Sequence, residues 1–247
     1  MARLQQWDNM LDRHPKKVSD SLKTLDRNAL SRSGKAYYDL LKVVSDDKTY
    51  VNFTSDSLIN AVASYYKSYD PHNNNYIRAL AYQGIVRTRM GVKDSTVYDP
   101  LREANRLFQV STQPDPSLGY MINYFLGNIH YNNRNFSLAD DYFHSAFTYA
   151  AQEKDPVHRF DSYLALYWNQ MGQKDFKKSK LYLDTLSTYY NQLPGKDYFI
   201  LNAQSIFYDM TKQPQQALEI EKIKLRLYNN QDEVIELSRL YFNISDH

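Results

Sequence analysis

The sequence predicts an all-α protein: a right-handed α-solenoid of about five antiparallel helix pairs, with N- and C-terminal capping helices. Three observations predict it. Apolar residues recur at helical spacing through almost all of the 247 residues, with little strict alternation. Glycine and proline are scarce, at 7 and 8, too few for the turns of a β-sandwich or barrel. A ladder of mostly small residues (Ala61, Leu101, Ala139, Ser179 and Ala217) runs at spacings of 40, 38, 40 and 38. That regularity is the mark of stacked helix pairs.

The elements follow in order. Residues 2–11 are expected to form a short first helix. Further helices are expected over about 15–30, 34–47, 55–69, 75–91, 97–109, 117–133, 136–151, 157–171, 175–190, 196–210, 213–228 and 231–244. Pro15, Pro71, Pro116, Pro156, Pro194 and Pro214 stand at or near first turns or loops, where a missing N–H costs nothing. Asp56-Ser57, Asp94-Ser95 and Ser111-Thr112 are capping or loop material. The short linkers make neighbouring helices antiparallel. The organisation is therefore capping helices over 1–33, helical repeats over 34–230, and a closing or juxtamembrane helix over 231–247. Val234, Leu237, Leu240 and Tyr241 form one stripe of that last helix.

The clearest repeat runs from Leu126-Gly127 to Ala139, Phe143 and Ala146. It resembles a tetratricopeptide (TPR) repeat. Gly127 and Ala139 let two helix backbones approach, and Phe143 fills the gap to the next pair. Weaker copies carry Met171-Gly172 with Ser179, Gln213-Pro214 with Ala217, Gly84 with Leu101, and Ser55 to Ala61. Tyr37 to Leu41, Asp47 to Tyr66, and Leu11 to Asp26 resemble the opening of TPR regions in a Bacteroidetes-type family. That resemblance implies an extracytoplasmic lipoprotein, or the sensor half of a membrane-anchored regulator. The sequence lacks that family's lipoprotein signal, transmembrane helix and DNA-binding segment. A stand-alone member or a trimmed chain is expected, attached to a membrane only through missing flanking segments.

Composition removes several chemistries. With no cysteine there is no disulfide, thiolate metal site, Fe–S cluster or cysteine nucleophile. The formal net charge of +2 and the short basic runs Lys16-Lys17, Lys177-Lys178 and Lys222/Lys224/Arg226 argue against nucleic acid. No run of eighteen apolar residues exists, and the N-terminus has no apolar signal core. Phosphate-loop, dinucleotide and serine-nucleophile motifs are absent. His130 and His144 fall on the two helices of one repeat and could approach each other, but a metal site there would need Asp140 or Asp141 pointing the same way, and surface or groove histidines are the preferred reading. No catalytic residue, metal or cofactor is expected. Asp20-Ser21-Leu22, Asp56-Ser57-Leu58 and Asp184-Thr185-Leu186 resemble an O-glycosylation signal, but helix capping is the preferred reading.

The TPR resemblance implies that the first helix of each pair lines a concave groove. With Leu126-Gly127 setting the register, Met121, Tyr124, Asn128, Tyr131 and Asn132 face it. The ladder offset adds Leu164 and Trp168, then Phe199 and Asn202. In the preceding pair the strict offset gives Gln83, Val86 and Met90, and the polar Arg78 and Arg89 are preferred. Tyr, Trp and Arg are the residues enriched in binding hot spots. The partner-binding set is therefore Arg78, Arg89, Tyr124, Asn128, Tyr131, Asn132, Trp168 and Asn202. The Lys/Asn/Arg clamp for a C-terminal carboxylate is missing, because Tyr124 stands where lysine is wanted. A non-catalytic scaffold or sensor binding a protein or peptide is expected. The alternative is a small-molecule sensor, with a glycan stacked on Tyr131 and Trp168. Oligomeric state is left open by the sequence.

Overall fold

The computed structural model of the chain describes residues 1–227, and all regular structure among them is helical. In order these are α1 (Ala2–Asp8), α2 (Pro15–Lys23), a 3-10 turn (Arg27–Ala29), α3 (Arg32–Lys48), α4 (Ser57–Tyr69), α5 (Asn74–Arg89) and α6 (Ser95–Gln109). Then follow α7 (Pro116–Asn132), α8 (Phe136–Glu153), α9 (Pro156–Gly172), α10 (Phe176–Ser187), α11 (Asp197–Met210) and α12 (Pro214–Leu227). The helix expected over 231–244, and with it the closing region 231–247, lies outside the described residues. The chain divides into two compact units, Met1–Ile122 and Asn123 onward.

Local chemistry sets the helix ends. The single helix expected over 15–30 is broken. The Thr24 hydroxyl donates to the Ser21 carbonyl at 2.8 Å, and the Asp26 carboxylate accepts the Asn28 amide at 2.9 Å. Both side chains compete with the helix, so α2 stops at Lys23 and a 3-10 turn follows. Ser31, Asn73, Asp94, Asp155 and Asp175 cap α3, α5, α6, α9 and α10 by accepting first-turn amides. Asp56 precedes α4 without capping it. Its carboxylate instead accepts Arg87 Nε at 2.7 Å. Pro100 lies inside α6 and has no N–H to give the Thr96 carbonyl. Arg87 Nη1 donates to that carbonyl at 2.8 Å, filling the vacancy.

One turn recurs through both units. Tyr50, Gly91, Arg134, Lys174 and Lys212 all have φ between 57° and 78°. Each follows the first helix of a pair. In each, the residue after the left-handed position donates its amide to a carbonyl five residues back. Examples are Asn135 to His130 at 2.8 Å, Asp175 to Gln170 at 3.0 Å and Gln213 to Tyr208 at 2.8 Å. The left-handed residue donates to the carbonyl three back, as Arg134 does to Tyr131 at 2.9 Å. This is the Schellman closure, which satisfies two of the helix's terminal carbonyls. Four of these positions carry a side chain at a place that favours glycine.

Close approach happens where glycine allows it. A Cβ on Gly127 would lie 2.5 Å from the Phe143 ring, so α7 and α8 meet face to ring. Phe143 itself is 1% exposed and packs with Ala139, Ala165 and Leu166, reaching from α8 into α9. Gly84 meets the Val97 carbonyl and Leu101 in the same manner, and Gly172 meets Phe136. The ladder is buried at Leu101, Ala139 and Ser179, and half-buried at Ala217. Its first rung is corrected: Ala61 is exposed, while Ile59, Val62 and Ala63 turn inward. Of the aromatics read as core, Phe143 and Tyr66 are buried, and Tyr65, Tyr142 and Tyr182 are half-buried.

Two outcomes follow for stability. Gly127→Ala should cost about 1–3 kcal/mol in urea unfolding, because its methyl overpacks against Phe143, and adding Phe143→Leu should recover part of the loss. Lys174→Gly should raise stability by about 0.5–1 kcal/mol by relieving the left-handed backbone.

Candidate functional site

In the second unit the residues expected to face a partner take the following places. Tyr124 is half-buried, with its ring centroid 6.2 Å from that of Phe143. Tyr131 turns its ring toward Phe136 at 5.9 Å, and burial pushes its phenol above the ordinary value. Trp168 meets Tyr167 edge to face at 4.8 Å. Tyr167 is fully buried, and its hydroxyl donates to the Ala203 carbonyl at 2.7 Å, tying α9 to α11. Asn202 Oδ1 accepts from Lys224 Nζ of α12 at 3.3 Å. Asn128 is half-buried and Asn132 exposed.

The structure brings part of the expected set together. Leu164 and Trp168 of α9, with Phe199 and Ile206 of α11, pack against one core cluster around Phe160, Tyr167, Ile200 and Phe207. All four stay half-buried, so each keeps apolar surface in water. Lys196 lies at one end of this row. Its ammonium sits 5.3 Å over Phe160 and 5.5 Å over Phe199, and bonds Asp161 at 2.7 Å. The result is an apolar strip with a cation and amides at its margins.

The first unit uses its arginines internally. Arg78 Nη1 bonds Asp8 Oδ1 at 2.7 Å, and the Tyr37 hydroxyl donates to Asp8 Oδ2 at 2.6 Å. Burial disfavours the Arg78 charge, yet Asp8 and Tyr82 together raise its pKa above the ordinary value. Burial, and then Asp8, push the Tyr37 phenol up. Arg89 Nε bonds Asp47 at 2.8 Å. Lys48 reaches Asp12 at 2.9 Å. Leu4 and Leu11 are buried beside these ties. The N-terminal segment therefore lies on α3 and α5 and takes up the charge that Arg78 was expected to offer a partner.

Sequence reading set Asp140 beside His144 but missed the amides that make a polar hub of it in the second unit. Asp140 Oδ1 accepts from Asn169 Nδ2 at 3.0 Å and from Gln170 Nε2 at 2.6 Å. Asn169 also donates to the Phe136 carbonyl at 3.0 Å. His144 approaches Asp140 Oδ2 at 3.3 Å, and its other nitrogen meets the Tyr182 hydroxyl at 3.3 Å. The buried pair Asn169-Gln170 inside an otherwise apolar stretch was the available signal. His130 stacks on Tyr142 at 5.3 Å and does not join His144 in a metal-ligand set. Among the described residues, Glu153, Asp155 and His158 bring ligand atoms within 4.8 Å of one another. Their bonds already account for them. His158 Nδ1 pairs with Glu153 at 2.8 Å, and Asp155 caps α9 through the amides of Val157 and His158.

No protein-family model matches the chain, and no curated protein matches it.

Removing one partner of the Asp8–Arg78 pair should be costly, since both side chains are only about one-fifth exposed. Asp8→Asn should lower unfolding stability by about 2–4 kcal/mol, and Tyr37→Phe by about 1 kcal/mol. His130 gives a pH signature. Burial lowers its pKa from 6.5, so the unfolded chain binds the proton more readily. Its stabilising neutral form is complete above that ordinary value and is lost as pH falls through it. His130→Gln should flatten the decline of unfolding free energy from pH 7.5 to 5.5, followed by urea titration.

Proposed function

We propose that this chain is a non-catalytic TPR-like scaffold or sensor region that binds a protein or peptide partner. The observation that carries the reading is the half-buried strip Leu164, Trp168, Phe199 and Ile206, set between fully buried cores and polar margins. An apolar strip of this kind buries area on association, while Asn128, Asn202 and Lys196 can bond a partner's backbone or carboxylates. The turns that recur after Arg134, Lys174 and Lys212, and the Gly127–Phe143–Ala165 packing, support the repeat reading. The resemblance in the sequence extends the proposal to an extracytoplasmic setting. No helix among the described residues is long and apolar enough to cross a membrane.

A photo-crosslinking residue placed at position 128 or 164 should capture a polypeptide in native cells. The same residue at Leu181, which is 64% exposed on α10, should not. Against the captured partner, Trp168→Ala should weaken binding by about tenfold or more, the loss typical of a buried aromatic anchor. Equal capture from both positions, or none from the strip, refutes the reading.

A further inference from the structure

The arginines that reach into the first unit are matched by carboxylates. Arg27, Arg78, Arg87 and Arg89 each hold an aspartate at 2.5–2.8 Å. One cleft departs from this. It measures about 960 Å³ and is lined by Arg3 and Trp7 of α1, Arg13 of the connection, and Lys16, Lys17 and Asp20 of α2. None of the four cations Arg3, Arg13, Lys16 and Lys17 has an ion-pair partner among the described residues. The lone acid, Asp20, bonds Lys23 at 2.9 Å, which holds its carboxyl below the usual range, and it reaches only Lys16 of the four as a weaker charge contact. Arg3 instead stands over the Trp7 ring at 6.0 Å.

Four unmatched positive charges around one cleft repel each other, and an anion relieves that repulsion. Two guanidinium forks and two ammonium groups suit phosphate oxygens, which accept several donors at once. The indole adds a flat apolar surface, and the Arg3 guanidinium over it adds a second plane on which a ring can stack. Charge here is confined to one cleft between two short helices and does not run as a stripe, which favours a small ligand over a polynucleotide. We propose that this cleft binds a phosphate-bearing ligand with a planar ring, of the nucleoside-phosphate class. The site shares no residue with the strip on α9 and α11, and it stands or falls independently of the partner-binding proposal.

Isothermal titration of the full chain with adenosine diphosphate, inorganic pyrophosphate and adenosine tests this. Adenosine diphosphate should bind saturably at one site and weaken as salt rises. Pyrophosphate should bind several-fold less tightly, and adenosine should not bind. The double variant Lys16→Glu/Lys17→Glu should lose about tenfold or more in affinity, as expected for lost charge-assisted hydrogen bonds. Arg13→Glu, fully at the surface, should weaken binding without changing the thermal midpoint. Trp7→Leu should reduce adenosine diphosphate to the pyrophosphate level and leave pyrophosphate unchanged. The proposal is overturned by no saturable heat, by charge-reversed variants that bind like wild type, or by adenosine diphosphate binding no better than pyrophosphate.

Discussion

Close approach of paired helices at a missing side chain is the constraint on which the rest depends. At Gly127 the Phe143 ring occupies space that any Cβ would claim. The ring then continues to Ala165 and Leu166, so one contact fixes the distance within a pair and the contact with the next helix. Gly84 performs the same service against the Val97 backbone and Leu101 in the first unit. The turns that follow the first helix of each pair are short, and partly buried apolar residues of α9 and α11 pack against one shared core cluster. Packing at this density leaves little room for volume change, which is why small residues recur at the inner positions.

Charge is handled differently in the two units. In the first, the N-terminal segment brings Asp8 and Asp12 to Arg78 and Lys48, and buries Leu4 and Leu11 beside them. Each carboxylate offsets a cation whose desolvation would otherwise be expensive. In the second, the inner residues of α9 and α11 are mostly apolar or amide, and the ionic contact between Lys196 and Asp161 sits at the margin. The first unit thus uses its inner polar groups to hold itself together. The second keeps a strip whose apolar surface remains in water.

Much of this was legible in the residues. Pro156 after Asp155, and Pro214 two residues after Lys212, mark helix starts that the structure places within a residue. The Leu126-Gly127, Ala139, Phe143 pattern describes a contact that is present at that spot. The ladder holds where Arg134, Lys174 and Lys212 are followed at once by a new helix. It slips at Ala61 because six residues separate Tyr50 from α4, and spacing alone does not count loop length. Arg78 could not be placed for a different reason. Its partner Asp8 lies 70 residues away, and no local pattern encodes a pairing at that distance. The Asp140 hub was hidden likewise, since a carboxylate on one helix and two amides on another show no joint periodicity.

The recurring left-handed turn has a bearing on how the protein comes to be folded. A pair such as α9 and α10 closes through hydrogen bonds between residues only three and five apart. The Asp175 cap that opens α10 is local as well, bonding the Lys178 amide three residues on. The heaviest packing is between helices adjacent in sequence, so the loops closed before the first gains of burial are short, and such topologies fold fast. The Arg78–Asp8 pair spans 70 residues, and Asp8 precedes Arg78 and is already synthesised when α5 forms. The chain can therefore acquire native structure one helix pair at a time, in the order in which it leaves the ribosome.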